Sequence, residues 1–467
     1  MAEHSGTNNV HTRKIADFVS QLTYEQIPAQ VRERVKLLIL DSLGCAIYGA
    51  NLEWCRILQE TFGGLDATRT TSVWGTGRKL SSPNAALVNG TQVQGFELDD
   101  VHRDGVLHCG AVTLPALIAV AESHADLSGR EFLAAAVAGY EIGPRVGRCM
   151  GQEHIGQGWH SGATLGVFSA AAGAARGLSL NADQTVHALG IAGTQSAGLM
   201  AAQYGAMVKR MHAGRSSQSG LYGALLAKGG FTGIVDVFEA PYGGFCTTFS
   251  RSTDRFNLDA LSAGLGSEWE TMRVALKFFS CVGSNHTTLD AIRDIRARRP
   301  FTLDELDKIV VRGSQVTVDH VGWPYRPEGL TSAQLNLPYC VATLLLEGDV
   351  FVDQFTEAAV HDQARIDLSN KVQVVHDPAI TALGSKFRHK VSVDVHLRDG
   401  SVHTETHEAP RGSEHSFAPA VDIVEKFRKL TRAVMPRSQQ EDLIKAVLGL
   451  DDLADSKRLI GLLRANA

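Results

Sequence analysis

Through most of the first 250 residues, apolar positions recur at helical spacing. Between Pro28 and Tyr48, residues Val31, Val35, Leu38 and Ile39 mark one face of a 3.6-residue repeat. Pro28 suits the first turn, where its missing amide proton costs nothing. The same reasoning predicts helices over Pro83–Phe96, Val112–His124, Arg130–Met150, Gly162–Arg176 and Ala182–Ala197. Another runs over Ser216–Lys228 and stops at Gly229-Gly230. These segments are rich in Gly and Ala, which lets helix axes approach closely. Each interior glycine costs up to about 1 kcal/mol relative to alanine, so tight packing has to offset it.

The pattern changes after about residue 265. Asp307–Val318, with Ile309, Val310 and Val311 adjacent, reads as a strand, and Ser332–Leu346 reads as a helix. From His389 to Arg398, Val391, Val393, Val395 and Leu397 alternate with polar residues. Asp399-Gly400 and then Ser401–Glu408 complete a predicted β-hairpin with a type I′ turn. Helical spacing resumes at about Ala418 and runs to Leu463. The expected fold is mainly α: a large all-helical domain with a smaller inserted α+β lid domain. Its expected limits are residues 1–265 and 413–467 for the helical part and 266–412 for the insertion. A chain of 467 residues exceeds what one hydrophobic core usually supports, which fits two domains.

A formal net charge of −5 disfavours nucleic acid as a partner, because phosphate backbones select basic surfaces. No apolar run approaches the roughly 20 residues of a membrane span. Met1–Arg13 is polar and lacks the apolar segment of a secretory signal, so a cytoplasmic protein is expected. The seven cysteines, Cys45, Cys55, Cys109, Cys149, Cys246, Cys281 and Cys340, are scattered and odd in number, with no CxxC pair. They read as buried apolar residues rather than as disulfides or metal ligands.

Against this apolar background, three polar clusters carry the candidate chemistry. They are Lys209-Arg210-Met211-His212-Ala213-Gly214-Arg215, Asp99-Asp100-Val101-His102-Arg103-Asp104 with His108, and Trp159-His160-Ser161-Gly162. In a helix, Lys209 and His212 would share a face. Gly214 favours a break instead, with Ser216 or Ser217 capping the next helix and its free amides, with Arg215, facing an anion. His108 and His160 each stand at the mouth of a predicted helix, where nearby cations favour the neutral imidazole. Asp99 and Asp100 can orient those rings, position a water or cap a helix. Asp99, Asp100, His102, Asp104 and His108 match no metal-site spacing, and GTGRK at 75–79 is no phosphate loop, so no metal or cofactor is expected. Histidines, cations and acids without a cofactor suit proton transfer on a carbon acid flanked by carboxylates.

Several stretches resemble the MmgE/PrpD family, which includes 2-methylcitrate dehydratase, cis-aconitate decarboxylase and iminodisuccinate epimerase. They are ILDSLGCAIYGA at 39–50, NGTQVQGFELDDVHRDGVLHCGAVTLPAL at 89–117, GWHSGAT at 158–164, VKRMHAGRSSQSGLYGALLAKGGFTG at 208–233 and KFFSCVGSNHTTLDA at 277–291. The resemblance implies a homodimer that acts without an organic cofactor on a small di- or tricarboxylate in an interdomain cleft. It maps catalytic roles onto Asp100, His108, His160, Lys209 and Lys277, with His212, Arg215, His102 and His286 as substrate contacts. Val101 and Val282 stand where decarboxylase members carry Thr and His, and Glu97 replaces an Asp. The expected reaction is therefore loss of water from a hydroxy-polycarboxylate, as in 2-methylcitrate dehydratase. In that scheme His108 or His160 takes the alpha proton, and Lys209, Arg215 and Lys277 hold carboxylates. Epimerisation and decarboxylation are the alternatives.

Overall fold

The computed structural model describes residues 10–151, 153–203, 206–384 and 387–464. They form two compact units. The first draws on residues through Gly95, on Asp99–Ala275 and on the chain from Pro419 onward; the second comprises Phe96–Leu98 and Leu276–Ala418.

The first unit is built from α1 (Val10–Gln21), α2 (Ala29–Gly49), α3 (Glu53–Leu65), α4 (Ser82–Val93), α5 (Cys109–Ser123) and α6 (Gly129–Met150). The single turns α7 (Glu153–Gly156) and α8 (Ser161–Thr164) follow, then α9 (Gly166–Gly177), α10 (Ala182–Gly193), α11 (Val208–Lys228), α12 (Phe245–Ser250) and α13 (Asp259–Ser262). Two short antiparallel pairs brace the loops: β1 (Thr71–Ser72) with β2 (Lys79–Leu80), and β3 (Val101–His102) with β4 (Val274–Ala275). At the centre lies α5, buried without interruption from Cys109 to Ala121. Reciprocal caps start two of the helices: Ser128 with Glu131 on α6, and Asn181 with Gln184 on α10.

Two helix expectations are corrected. The segment expected over Gly162–Arg176 is interrupted at Leu165, leaving α8 and α9. At the Lys209 cluster no break occurs: α11 runs unbroken from Val208 through Gly214 to Lys228. Gly214 is needed for packing rather than for a stop. A Cβ on Gly90 of α4 would lie 2.7 Å from the Gly214 Cα, and one on Gly214 would collide with the Leu87 carbonyl. Helices α4 and α11 thus touch backbone to backbone, which only glycine permits. Ser216 caps nothing. Inside α11, its Oγ donates to the carbonyls of Gly162 (2.7 Å) and Ala163 (3.0 Å), tying α11 to α8.

The second unit holds α14 (Gly283–Arg298), β5 (Leu306–Gly313), α15 (Gln315–Val321), α16 (Leu330–Leu335) and α17 (Leu337–Glu347). After them come α18 (Glu357–Val360), α19 (Gln363–Ser369), β6 (Val372–His376), α20 (Pro378–Ala382), β7 (Val391–Leu397) and β8 (Val402–His407). The sheet order is β6-β5-β7-β8, with β5 and β6 parallel and the other pairs antiparallel. Ile309 opposes Val395 and Val311 opposes Val393, all buried, as the alternating pattern requires. Three details differ from expectation. The first strand ends at Gly313 because Ser314 caps α15, accepting the Thr317 amide. Asn336 splits the expected Ser332–Leu346 helix by capping α17 through the Tyr339 amide. In the hairpin only Gly400 has positive φ (88°), while the Leu397 amide donates to Ser401 and the Gly400 amide to Leu397. That is a three-residue loop with a left-handed glycine, not a two-residue type I′ turn.

The returning chain adds α21 (Ala420–Thr431), α22 (Arg437–Leu448) and α23 (Lys457–Gly461) to the first unit. Phe427 packs against Gly44 of α2, and Lys426 Nζ lies 2.6 Å from Asp41 Oδ1 in a fully buried ion pair. All seven cysteines are buried free thiols. Among the described residues, no single helix is long and apolar enough to cross a membrane.

Candidate active site

Residues 99–108 form the loop that enters α5, and its side chains divide their tasks. Asp100 is a structural cap: its oxygens lie 2.9 and 3.1 Å from the Gly110 amide, and Oδ2 accepts the Tyr140 hydroxyl at 3.0 Å. Burial, then the charge of Asp99, pushes its carboxyl up to about 8. His102, expected to meet substrate, is fully committed inside the protein. Its Nδ1 accepts the Gly105 amide at 2.9 Å, so Nε2 carries the proton and faces Glu270 Oε2 at 2.9 Å. Burial works against the Glu270 charge, yet His102, Arg148 and Arg273 hold that carboxyl down at about 2.

His108 is the residue before α5, and its Nδ1 stands 3.0 Å from Oδ2 of the buried Asp99. The separation is that of an ion pair, while the angle falls short of a hydrogen bond. Two residues earlier, Val106 adopts φ 47°, a left-handed conformation that a β-branched side chain strongly disfavours. Its carbonyl accepts the Ser161 hydroxyl. That bond joins the loop before α5 to the start of α8.

His160 is the residue before α8, and its amide donates to the Gly198 carbonyl at 3.2 Å. Its ring lies against that of His212 on α11, with centroids 4.7 Å apart and planes tilted by 49°. His212 is buried, and among the described residues its Nδ1 has no hydrogen-bond partner. Burial, then the ammonium of Lys209 one turn away, lowers its pKa and favours the neutral ring. Arg210 is buried with its guanidinium 5.8 Å from the Trp54 ring centre. Arg215, expected to clamp an anion, is exposed and donates to Gln218, which in turn donates to Asn84 at 3.0 Å.

Thus His108, His160, Lys209 and His212 belong to the first unit, with the bonds of Ser161 and Ser216 linking the loop before α5, the turn α8 and the interior of α11. Lys277 and His286 belong to the second unit. There Lys277 Nζ is 3.6 Å from Oε2 of Glu97, both buried, and Glu97 itself sits at φ 58°. His286 Nε2 is 3.0 Å from the Cys281 carbonyl and its ring meets the Phe279 edge at 5.3 Å, an internal arrangement rather than an open contact. Among the described residues, no group of three or more His, Cys, Asp or Glu side chains is arranged to hold a metal ion.

Sequence reasoning gave no role to Glu270 or Lys426, and named Ser161 and Asp41 only as members of longer motifs. Only the tandem acids offered a signal, and spacing alone could not say which one faces an imidazole.

Residues 13–257 match the MmgE/PrpD N-terminal domain model, and residues 279–452 match the MmgE/PrpD C-terminal domain model. The cis-aconitate decarboxylase-like protein oryM of Aspergillus oryzae is 35% identical over 97% of both chains. A cis-aconitate decarboxylase of Aspergillus terreus is 33% identical over 99% of this chain and 98% of its own. The cis-aconitate decarboxylase of Homo sapiens is 27% identical over 97% of this chain and 94% of its own.

Proposed function

The chain belongs to the MmgE/PrpD family, and on that footing we propose that it is a lyase that decarboxylates a small tricarboxylate of the cis-aconitate type by imidazole-mediated proton transfer. The observation that carries this reading is the buried His160–His212 pair beside Lys209, linked through Ser161 to the loop that bears His108. Two imidazoles in contact cannot both be protonated without repulsion, so one stays neutral while the other can carry the proton that a substrate carbon takes. Lys209 supplies the cation that a substrate carboxylate requires as charge develops.

In decarboxylation of such an acid, the carbon–carbon bond to one carboxylate breaks and carbon dioxide leaves. The electron pair moves through the neighbouring double bond, and the far carbon takes a proton from an imidazolium. The names of the similar proteins support this reaction over the dehydration expected from sequence. Dehydration of a hydroxy-tricarboxylate of the 2-methylcitrate kind is the second reading, favoured by Val101 and Val282 in place of the Thr and His of decarboxylase members.

Incubating the purified protein with cis-aconitate and with hydroxy-di- and tricarboxylates, in deuterated water and with mass detection, separates the readings. Loss of carbon dioxide supports decarboxylation, loss of water supports dehydration, and deuterium wash-in without loss of mass supports epimerisation. No reaction with any of these acids overturns the proposal. His160→Ala should lower turnover about 10²- to 10⁴-fold with little change in KM. A homodimer belongs to the same reading, and sedimentation equilibrium tests it.

A further inference from the structure

We propose that Asp99 is the positioning residue for His108, holding the ring with its proton on Nδ1 so that Nε2 is the nitrogen that takes up a proton and passes it to the substrate carbon. This inference rests on His108 acting in proton transfer, as proposed above, and names the group that sets its tautomer.

The tandem acids are adjacent in sequence but differ in what they touch. Both Asp100 oxygens lie within reach of the Gly110 amide, and one also takes the Tyr140 hydroxyl, so Asp100 fixes the first turn of α5. Asp99, equally buried, places Oδ2 3.0 Å from His108 Nδ1. Two carboxyl groups so close in a desolvated site do not both ionise. The push of Asp100 up to about 8 assigns the proton to Asp100 and the charge to Asp99.

The surroundings support an ionised Asp99. Beneath it, α2 contributes Asp41 and Cys45, and α21 contributes Lys426. Burial disfavours the Lys426 ammonium, but Asp41, Cys45 and Asp99 more than compensate and raise its pKa. That buried cation is a fixed positive charge acting on Asp99. On the other side, the His108 side chain retains 18% of its exposure, so the ring spans from a buried acid to an accessible edge. The Ser161 bond to Val106 and the left-handed backbone of Val106 hold the loop in one conformation. Catalytic hydrogen bonds commonly tighten when substrate binds. An acid that orients an imidazole in this way fixes which nitrogen can accept a proton.

Nitrogen-15 NMR of the histidine side chains in the full-length protein tests the tautomer directly, with His108→Gln identifying the His108 signals. The expected wild-type result is that the neutral form of the ring carries its proton on Nδ1, and Asp99→Asn should shift that form toward Nε2–H. With cis-aconitate as the probe substrate, Asp99→Asn should lower kcat at least about 100-fold with KM changed less than threefold, and Asp99→Glu should restore part of the loss. A wild-type ring protonated on Nε2 overturns the proposal, as does an Asp99→Asn protein with unchanged kcat. If Asp99→Asn does not fold, the wild-type tautomer decides alone. Normal turnover by His108→Ala with the Nδ1–H tautomer intact would refute the catalytic reading of His108 and leave the Asp99 contact standing.

Discussion

Asp100 and His154 show how burial changes ionisable side chains in opposite directions. His154 sits against Phe249, with Nε2 2.7 Å from Thr164 Oγ1, and burial lowers its pKa to about 4. An unfolded histidine titrates near 6.5, so between about pH 6.5 and 4 the unfolded chain binds a proton that the folded ring refuses. Stability is therefore lost as pH falls through that window, by ~2 kcal/mol at pH 5. His154→Gln should flatten this decline, measured by urea unfolding at pH 5 and pH 7. The Asp100 carboxyl is raised instead, so the folded state holds the extra proton and its contribution fades as pH rises towards about 8. Asp100→Asn, which can still accept the Gly110 amide, should lose less melting temperature between pH 6 and pH 9 than the wild type. Sequence made Asp100 visible as a candidate, but not His154. It could not show that His102 has both nitrogens engaged within the fold, because Glu270 is brought beside it from a segment distant in sequence, next to the β3–β4 pairing.

Where an element begins or ends followed local chemistry when capping residues decided it, as with Asn181 and Ser128. It departed from expectation where the caps Ser314 and Asn336 had gone unread, and where a neighbouring element decided it. Glycine in the middle of a polar cluster reads as a break, yet Gly214 stays helical because α4 approaches at Gly90 too closely for any Cβ. Gly214→Ala raises helix propensity but drives a methyl group into the α4 backbone. It should destabilise the protein by roughly 1–3 kcal/mol in urea titrations, and equal or greater stability would show that the two helices can separate. In the unbroken helix Arg215 stands one turn from His212, as Lys209 does, but its side chain is exposed and engaged by Gln218. The apolar alternation of the β7–β8 hairpin was legible because each strand buries one face, whereas its turn geometry depended on one glycine backbone angle.

At the scale of the whole molecule, the C-terminal helices complete the first unit by threading back onto α2. The buried Lys426–Asp41 pair and the Phe427–Gly44 contact are the join. Removing one partner of a buried ion pair leaves an uncompensated charge. Lys426→Met should therefore cost about 3–5 kcal/mol in denaturant unfolding, and Asp41→Leu combined with it should recover most of that loss. A single variant as stable as wild type would mean the pair is solvated. What the sequence by itself determined was the mainly helical class, the inserted α+β segment, the buried cysteines and the family motifs. All of these depend on periodicity, composition or short contiguous strings, which survive without knowledge of the fold. Only the tertiary structure decided which acid faces His108, that His160 and His212 share a contact, and that Arg215 and His102 are occupied elsewhere. Each of those depends on where helices from distant parts of the chain cross, and a crossing is fixed by packing that no local pattern encodes.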